Sequence, residues 1–335
     1  MLVYIVRRIL TIIPVLIGLS ILLFVIARLL PGDPVGLAAG PHATPQQIAE
    51  LRAQFSLDQP IYVQYWRYVS GLFQGDWGTS LMTNRPVLDD LRDFLPATVE
   101  LVVASLIIAV VLGVPLGVIS AVKIGKLPDI ATRFFSLASL SMPRFFLGLL
   151  LQLLFAMLLA WLPLGDRYPV TDLPPDPVTG FITIDALLAG DLNAFAVSLQ
   201  HLILPAIAMA LSPLASIIQI TRASTLEVLN QDYVTTARAM GLPEGLILFK
   251  YVLKNALSAT LTMTALFVGW ALGGTVLVET VFDWPGLGLY ATQAVVSQDF
   301  EPILGVTLCI GIIFIVINLI ADLLYGLLNP KVQFG

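Results

Sequence analysis

Six long apolar runs divide the chain, and polar segments separate them. Each run reaches or exceeds the roughly 20 residues that an α-helix needs to cross a bilayer. Because backbone polar groups must be paired inside lipid, each run is predicted to be helical. The sequence therefore predicts an all-α polytopic membrane protein, with a single domain over residues 1–335. The predicted spans are residues 9–30, 99–121, 133–161, 201–221, 258–279 and 303–328.

Two of these runs differ from a simple straight span, the third and the first. The run 133–161 is longer than a straight span requires, so we expect it to tilt or to kink at Pro143. The first run follows Arg7 and Arg8, as the apolar part of a signal peptide would. Its apolar stretch exceeds the roughly 7–15 residues of such a segment, and no small-x-small cleavage site follows. We therefore expect a retained helix.

Composition agrees with the membrane assignment. Hydrophobic residues make up 58% of the chain and charged residues 12%, against about 25% charged residues in soluble domains. The mean hydropathy is +0.91. The net charge of −5 argues against a nucleic-acid surface. One cysteine, Cys309, and two distant histidines, His42 and His201, supply neither a disulfide framework nor a metal site.

The distribution of Lys and Arg predicts the orientation. By the positive-inside rule, both termini and the loop 222–257 lie in the cytoplasm, and the loops 31–98, 162–200 and 280–302 face outward. Within the first outward loop, residues 45–74 have helical spacing. The basic residues of the predicted cytoplasmic side are Arg7, Arg8, Lys123, Lys126, Arg133, Arg222, Arg238, Lys250, Lys254 and Lys331. Those of the outward side are Arg52, Arg67, Arg85, Arg92 and Arg167.

The cytoplasmic segment 232–255 is a polar island with the pattern helix, stop, helix. Gly241 suits the left-handed residue that closes a helix, and Pro243 suits the first turn of the next one. A rigid two-helix element at this face could dock onto a soluble partner. The alternative is an ordinary cytoplasmic helical hairpin.

No catalytic motif is present in the sequence. Gly125-Lys126 lacks the upstream glycine and the Ser or Thr of a phosphate-binding loop, so we do not expect this chain to hydrolyse ATP. The outward carboxylates are typical of a solvated acidic face. We expect a non-enzymatic membrane subunit without a bound cofactor.

Several motifs resemble those of ABC importer permeases of the dipeptide, oligopeptide and nickel family. Thr235-Thr236-Ala237 stands where the coupling loop of that family usually has Glu-Ala-Ala, and Gly241 holds its glycine position. The similarity extends from Tyr4 to Lys331 and is greatest to the B-type permeases of dipeptide importers. The other motifs are Pro31–Pro34, Gly75–Ser80, Ser141–Pro143, His201–Pro205, Glu279–Gly288 and Asp322–Pro330.

The resemblance implies the type I ABC importer fold in a bacterial inner membrane. The implied partners are a homologous C-type permease, two ABC ATPases that bind ATP and Mg²⁺, and an extracytoplasmic peptide-binding protein. Thr235, Thr236, Ala237, Arg238 and Gly241 would then couple to the ATPases. The substrate would be a dipeptide or another short peptide. Related permeases carry oligopeptides, glutathione or nickel chelates, and these remain alternative substrates. Haem is a candidate additional substrate.

Two further sites each allow more than one interpretation. Trp284, Pro285 and Gly286 form a bulky turn on the outward side, which would contact the binding protein or close the outer mouth, or else is structural. Arg144 is a cation inside the third run, where it would cost roughly 2.5–3.5 kcal/mol if it faced lipid. Arg144 would therefore line the substrate pathway, pair with a neighbouring helix or the partner permease, or reach an interface.

A secondary transporter that needs no ATPase is the alternative from another class. Such proteins place ionisable groups near the bilayer midplane for ion coupling. No carboxylate lies near the centre of a predicted span, since Glu100, Glu279 and Asp322 are near span ends. The sequence therefore favours an externally powered carrier.

Overall fold

The computed structural model of the chain is helical and describes residues 2–29, 44, 46 and 59–328. Within these ranges the only β-structure is an isolated bridge between Thr79 and Pro86. The helices, in chain order, are α1 (Leu2–Leu29), α2 (Ile61–Gln74), α3 (Val87–Val122), α4 (Leu127–Ser141), α5 (Arg144–Leu151), α6 (Ile182–Leu188), α7 (Leu192–Leu229), α8 (Asp232–Ala239), α9 (Glu244–Leu246), α10 (Leu253–Gly273), α11 (Val276–Phe282), α12 (Leu287–Val296) and α13 (Phe300–Leu328). Two π-helical segments, Gln152–Leu158 and Ile247–Val252, continue α5 and α9.

The predicted all-α membrane fold is confirmed, and the span count of six is approximate. Among the described residues, four helical segments are long and apolar enough to cross a bilayer, and a bent pair makes five if it counts as one span. A shorter apolar helix, Leu10–Ile26, lies within α1. The four long segments are Val87–Val122, Leu192–Leu229, Glu244–Ala271 and Phe300–Ile320.

The predicted third span, 133–161, is not a single tilted or kinked helix. The chain bends by 108° between the helical segments Leu127–Ser141 and Arg144–Leu158, at the break that contains Pro143. Met142, which precedes Pro143, is extended, with φ −102° and ψ 134°. The proline ring disfavours the helical conformation for the residue before it, so the first helix ends there.

The observed helices are longer than the apolar runs that predicted them. Helix α3 begins at Val87 although its predicted span begins at residue 99, and α7 extends beyond both ends of 201–221. The reason is that polar residues continue a helix into water, where hydropathy no longer marks it. The predicted span 258–279 is instead divided between two helices, since α10 ends at Gly273 and α11 begins at Val276.

Helices α3 and α7 form the centre of the fold by close packing at two glycines. A Cβ on Gly113 would be 2.7 Å from Cγ2 of Ile217, and one on Gly117 would be 2.7 Å from Cβ of Thr221. The Gly113-x-x-x-Gly117 pattern therefore lets the two backbones approach, as small residues do between membrane helices. In a second pattern of this kind, Gly269-x-x-x-Gly273, a Cβ on Gly269 would lie 3.1 Å from Cε2 of Phe314, whereas the space beside Gly273 is open.

The segments predicted to face outward cover one end of the α3–α7 pair. Helix α2 forms the second part of the predicted outward helix 45–74, and most of the first part lies outside the described residues. The segment 162–180 is irregular, as its Pro and Asp content predicts. The side-chain amide of Gln152 links this segment to α11 by donating hydrogen bonds to the carbonyls of Leu164 (2.8 Å) and Val281 (2.9 Å).

Candidate functional site

The segment 232–255 forms a helical hairpin with a left-handed glycine at its turn. Gly241 has φ +76°. Its N–H donates to the carbonyl of Arg238 (2.9 Å), and the N–H of Leu242 donates to that of Ala237 (3.2 Å). These two bonds form the Schellman motif that closes a helix. Pro243 is the residue immediately before α9, one place earlier than the predicted first turn.

The hairpin has a small hydrophobic core of its own. Its buried residues are Val234, Ala237, Ile247 and Val252, and Leu242 packs against them. This core fixes the angle between α8 and the following helix, because both contribute side chains to it.

The predicted coupling residues divide into buried and exposed ones. Ala237 is 2% exposed and belongs to the hairpin core, whereas Thr235, Thr236, Arg238 and Gly241 are exposed. Nε of Arg238 donates to a carboxylate oxygen of Glu244 (2.9 Å), which links α8 to α9 across the turn. The exposed surface of the hairpin also carries two large apolar side chains, Met240 and Phe249.

At the end of the molecule that is predicted to face outward, a buried carboxylate organises the turn between α11 and α12. Glu279 is fully buried, and its side chain accepts hydrogen bonds from the hydroxyl of Thr98 (2.8 Å) and from the N–H groups of Gly288 (2.6 Å) and Leu289 (3.1 Å). A Cβ on Gly286 would lie 2.5 Å from both Glu279 Oε2 and Thr98 Oγ1. The turn therefore closes around the Glu279 carboxylate and admits only glycine at that place.

The Trp284 side chain points into the protein. It is 1% exposed, and its indole N–H donates to the carbonyl of Ala97 (2.9 Å). The guanidinium of Arg167 lies 5.9 Å from its ring centroid, and Nε of Arg167 donates to Glu100 (2.8 Å). A docked protein cannot reach the Trp284 ring in this conformation, so its burial favours the structural alternative. Pro285 is half-buried and Gly286 is buried.

Arg144 lies at the sharp turn between α4 and α5. Its guanidinium contacts Gly274, so closely that a Cβ on that glycine would collide with it. Gly274 is itself part of the break between α10 and α11. Arg144 is half-buried, and no ion pair or hydrogen bond of its side chain occurs within the part of the chain that the structure describes. The predicted pairing with a carboxylate is thus absent among those residues.

Sequence reasoning missed the buried polar partners of the outward turn. Thr98 is the last residue of the predicted outward loop 31–98, Glu100 lies near a predicted span end, and Arg167 counts among the outward basic residues. A signal was available, because a buried carboxylate needs hydrogen-bond donors or a cation. The described residues hold no group of three or more His, Cys, Asp or Glu side chains suited to a metal ion.

Comparison with protein families gives two matches that together cover most of the chain. Residues 113–334 match the binding-protein-dependent transport system inner membrane component. Residues 1–102 match the N-terminal part of the membrane component of binding-protein-dependent transport systems.

Individual relatives align over nearly their full length. The dipeptide transport system permease protein DppB of Alkalihalophilus pseudofirmus is 42% identical, with 100% of both chains covered. The probable D,D-dipeptide transport system permease protein DdpB of Escherichia coli is 43% identical over 95% of this chain and 94% of its own. The glutathione transport system permease protein GsiC of Escherichia coli is 37% identical, again with 100% of both chains covered.

Proposed function

The chain belongs to the family of inner membrane components of binding-protein-dependent transport systems, and we propose that it is the permease subunit of an ATP-driven ABC importer for dipeptides. The observation that carries this proposal is the full-length identity of 42% to a dipeptide permease. A glutathione permease is 37% identical, so glutathione is the second candidate substrate. Glutathione is itself a short peptide, and both candidates place a free carboxylate at the end of the cargo.

In this proposal the chain forms one half of the pathway and a homologous permease forms the other. Two ATPase subunits bind ATP and Mg²⁺ beneath them, and an extracytoplasmic binding protein delivers the peptide. The chain itself hydrolyses nothing. ATP and the binding protein shift the transporter between its two states only by binding one of them better than the other.

The hairpin 232–255 is the proposed contact with an ATPase. Its exposed residues Thr235, Thr236 and Arg238, with the apolar side chains of Met240 and Phe249, form a mixed surface on a rigid element. Ala237 acts indirectly, by packing α8 against the following helix. A rigid hairpin suits this role because it transmits a displacement of its tip to the spans without bending.

Arg144 is the proposed pathway residue. Transporter substrate sites are often built where membrane helices are interrupted, since backbone and polar groups become accessible there. Arg144 lies where two such interruptions meet, the turn before α5 and the break at Gly274. Its guanidinium, without a carboxylate partner among the described residues, would attract the C-terminal carboxylate of a peptide briefly during passage.

The experiment is purification of the tagged chain from its native membrane, followed by reconstitution into liposomes with the proteins that co-elute. We expect ATPase subunits and a second permease to co-elute, and uptake of a labelled dipeptide to require ATP and the binding protein. Unlabelled dipeptides should compete with it more strongly than glutathione or a nickel chelate. Uptake driven by an ion gradient, with no co-eluting ATPase, would instead identify a secondary transporter.

A further inference from the structure

A pocket lies between α4 and α7, at the end of these helices that is predicted to face the cytoplasm. Its volume is about 180 Å³, several times the roughly 30 Å³ that one water molecule occupies in the liquid. It is therefore large enough for a small polar group. The residues that line it are Arg133, Ser136, Leu137, Ile218, Gln219 and Arg222.

The pocket carries a net positive charge. Arg222 donates through Nε and Nη2 to Asp129 (2.7 and 3.2 Å), and no hydrogen bond of its Nη1 occurs within the described residues. Asp129 also accepts hydrogen bonds from Ser120 (2.7 Å) and from the N–H of Gly125 (2.9 Å), so its oxygens are already occupied. Arg133 is exposed and makes no ion pair with any described residue. Two guanidinium groups thus face the pocket against one carboxylate.

The pocket also holds a buried hydroxyl without a partner. Ser136 is 0% exposed, and its Oγ has no hydrogen-bond partner among the residues that the structure describes. Leaving a hydroxyl buried and unpaired costs free energy, because it loses its hydrogen bonds to water. Rotation about the Cα–Cβ bond of Ser136 would let its hydroxyl donate to an acceptor oxygen in the pocket. The two guanidinium groups and this hydroxyl are all donors, so they suit an anion rich in oxygen acceptors.

The surroundings of the pocket indicate where that anion comes from. Ile130, Phe134 and Leu137 lie along α4 beside Arg133 and are 56%, 73% and 61% exposed. A free anion in water gains nothing from such an apolar flank, whereas a phospholipid has its acyl chains next to its phosphate. Lys123 and Lys126 lie at the same end of the helices, where basic residues attract anionic lipids. We propose that this pocket binds the phosphate group of an anionic phospholipid.

A bound phosphate would join the two helices that form the pocket. Arg133 and Ser136 belong to α4, and Arg222 belongs to α7. Helix α4 is the first half of the broken span that ends near Arg144. The lipid would therefore hold this half against the central helix α7. The inference does not depend on which peptide the transporter carries.

The test measures lipid retention by the intact transporter, purified with its partner subunits in mild detergent. After removal of endogenous lipid, phosphatidylglycerol or phosphatidylcholine is added and the bound lipid is counted by native mass spectrometry. Arg133→Ala removes an exposed cation without breaking a described contact, and Ser136→Ala removes the unpaired hydroxyl. Lys126→Ala removes a cation at the same end of the helices that does not line the pocket.

We expect one tightly held phosphatidylglycerol, preferred over phosphatidylcholine. Arg133→Ala should weaken its binding roughly fivefold, the usual effect of one basic residue near a lipid surface. Ser136→Ala should also weaken it without lowering thermal stability. Lys126→Ala should weaken it less than Arg133→Ala, because Lys126 does not line the pocket. Wild-type retention in both Arg133→Ala and Ser136→Ala would overturn the proposal.

Two further outcomes would assign the pocket to another ligand. Inorganic phosphate offers acceptor oxygens to the same donors, so it is added to the delipidated transporter as a separate arm. Stabilisation by phosphate equal to that by phosphatidylglycerol would show a site for the free ion and overturn the lipid assignment. Loss of a partner subunit in Arg133→Ala, with lipid retention intact, would show a protein contact and overturn it as well.

Discussion

The guanidinium of Arg144 lies directly against the backbone of Gly274, 130 positions later in the chain. Both residues interrupt helices: Arg144 follows the 108° turn between α4 and α5, and Gly274 separates α10 from α11. Only a residue without a side chain leaves room for the guanidinium there. In the folded chain, the charge of Arg144 therefore lies between two helix breaks.

Arg144→Gln and Arg144→Leu should slow the uptake of dipeptides with a free C-terminus. A partly screened charge pair contributes up to about 1 kcal/mol, so the expected loss is up to about fivefold. Uptake of peptides with an amidated C-terminus should change little. The measurement is initial uptake in proteoliposomes, with subunit composition checked on the same preparation.

The matched control for Arg144 is Arg92→Gln, which removes an outward Arg whose side chain is 70% exposed. It should leave uptake of both peptides unchanged. Loss of a subunit in the Arg144 variants would favour a structural pairing with the partner permease. Unaltered uptake in both variants would reject the pathway role.

Gly241→Val should strain the turn of the hairpin. A β-branched residue in the left-handed region costs roughly 1–2 kcal/mol or more, while a Cβ at this place would touch no other atom. The effect is therefore conformational and not steric. We expect weaker co-purification of the ATPases and lower uptake, with normal membrane insertion.

Gly245 provides the comparison for Gly241. It also has open space around its Cβ position, but it lies in α9 with ordinary helical geometry. Gly245→Val should leave ATPase association close to wild type, and Gly241→Asn should be milder than Gly241→Val because Asn tolerates the left-handed region. Equal behaviour of the two valine variants would remove the basis for a special role of Gly241.

Trp284→Ala should destabilise the outward end of the fold. Removing a large buried aromatic side chain typically costs about 3–5 kcal/mol. Trp284→Phe keeps most of the packing and loses only the hydrogen bond to the carbonyl of Ala97, which lies within α3 and keeps its helical N–H donor. Its effect should therefore be smaller, roughly 0.5–1.5 kcal/mol. Thermal unfolding in detergent measures both. A stable Trp284→Ala protein that loses only stimulation by the binding protein would restore the docking role.

Gly286→Ala should prevent correct closure of the turn around Glu279. The added Cβ would lie 2.5 Å from both Glu279 Oε2 and Thr98 Oγ1, and both side chains are fully buried and hydrogen-bonded to each other. We expect a large loss of folded protein in the membrane fraction. Gly18→Ala makes the same substitution where no atom lies within 4 Å of the new Cβ, and its yield should match wild type.

Asp185 should give the outward segment a dependence on pH. Burial raises the pKa of its carboxyl, but hydrogen bonds from Thr179 and Gly180 outweigh burial and lower the pKa below its ordinary value of 3.8. The carboxylate therefore stabilises the folded form fully above that value, and the stabilisation disappears as pH falls through the lowered pKa. Asp185→Asn should be less stable than wild type at neutral pH. Thermal unfolding between pH 7 and pH 3 should show this gap narrowing toward acid, and a constant gap would contradict the assignment.

The sequence alone determined the fold class, because long apolar runs in lipid have no alternative to helices. It also determined the left-handed turn at Gly241, since a glycine followed two places later by proline is a local signal that needs no distant contact. The family resemblance rested on motifs read directly from the residues, and full-length relatives confirm it.

Only the tertiary structure decided where the polar residues at the span ends point. The sequence left open whether Trp284 faces outward, whereas the fold buries it between Ala97 and Arg167, which lie far away in the chain. The same holds for Glu279 with Thr98 and for Arg144 with Gly274. Hydropathy reports how much of a segment avoids water but not which distant group meets each side chain. That pairing depends on the packing of helices that are separated by more than a hundred residues, and no local pattern encodes it.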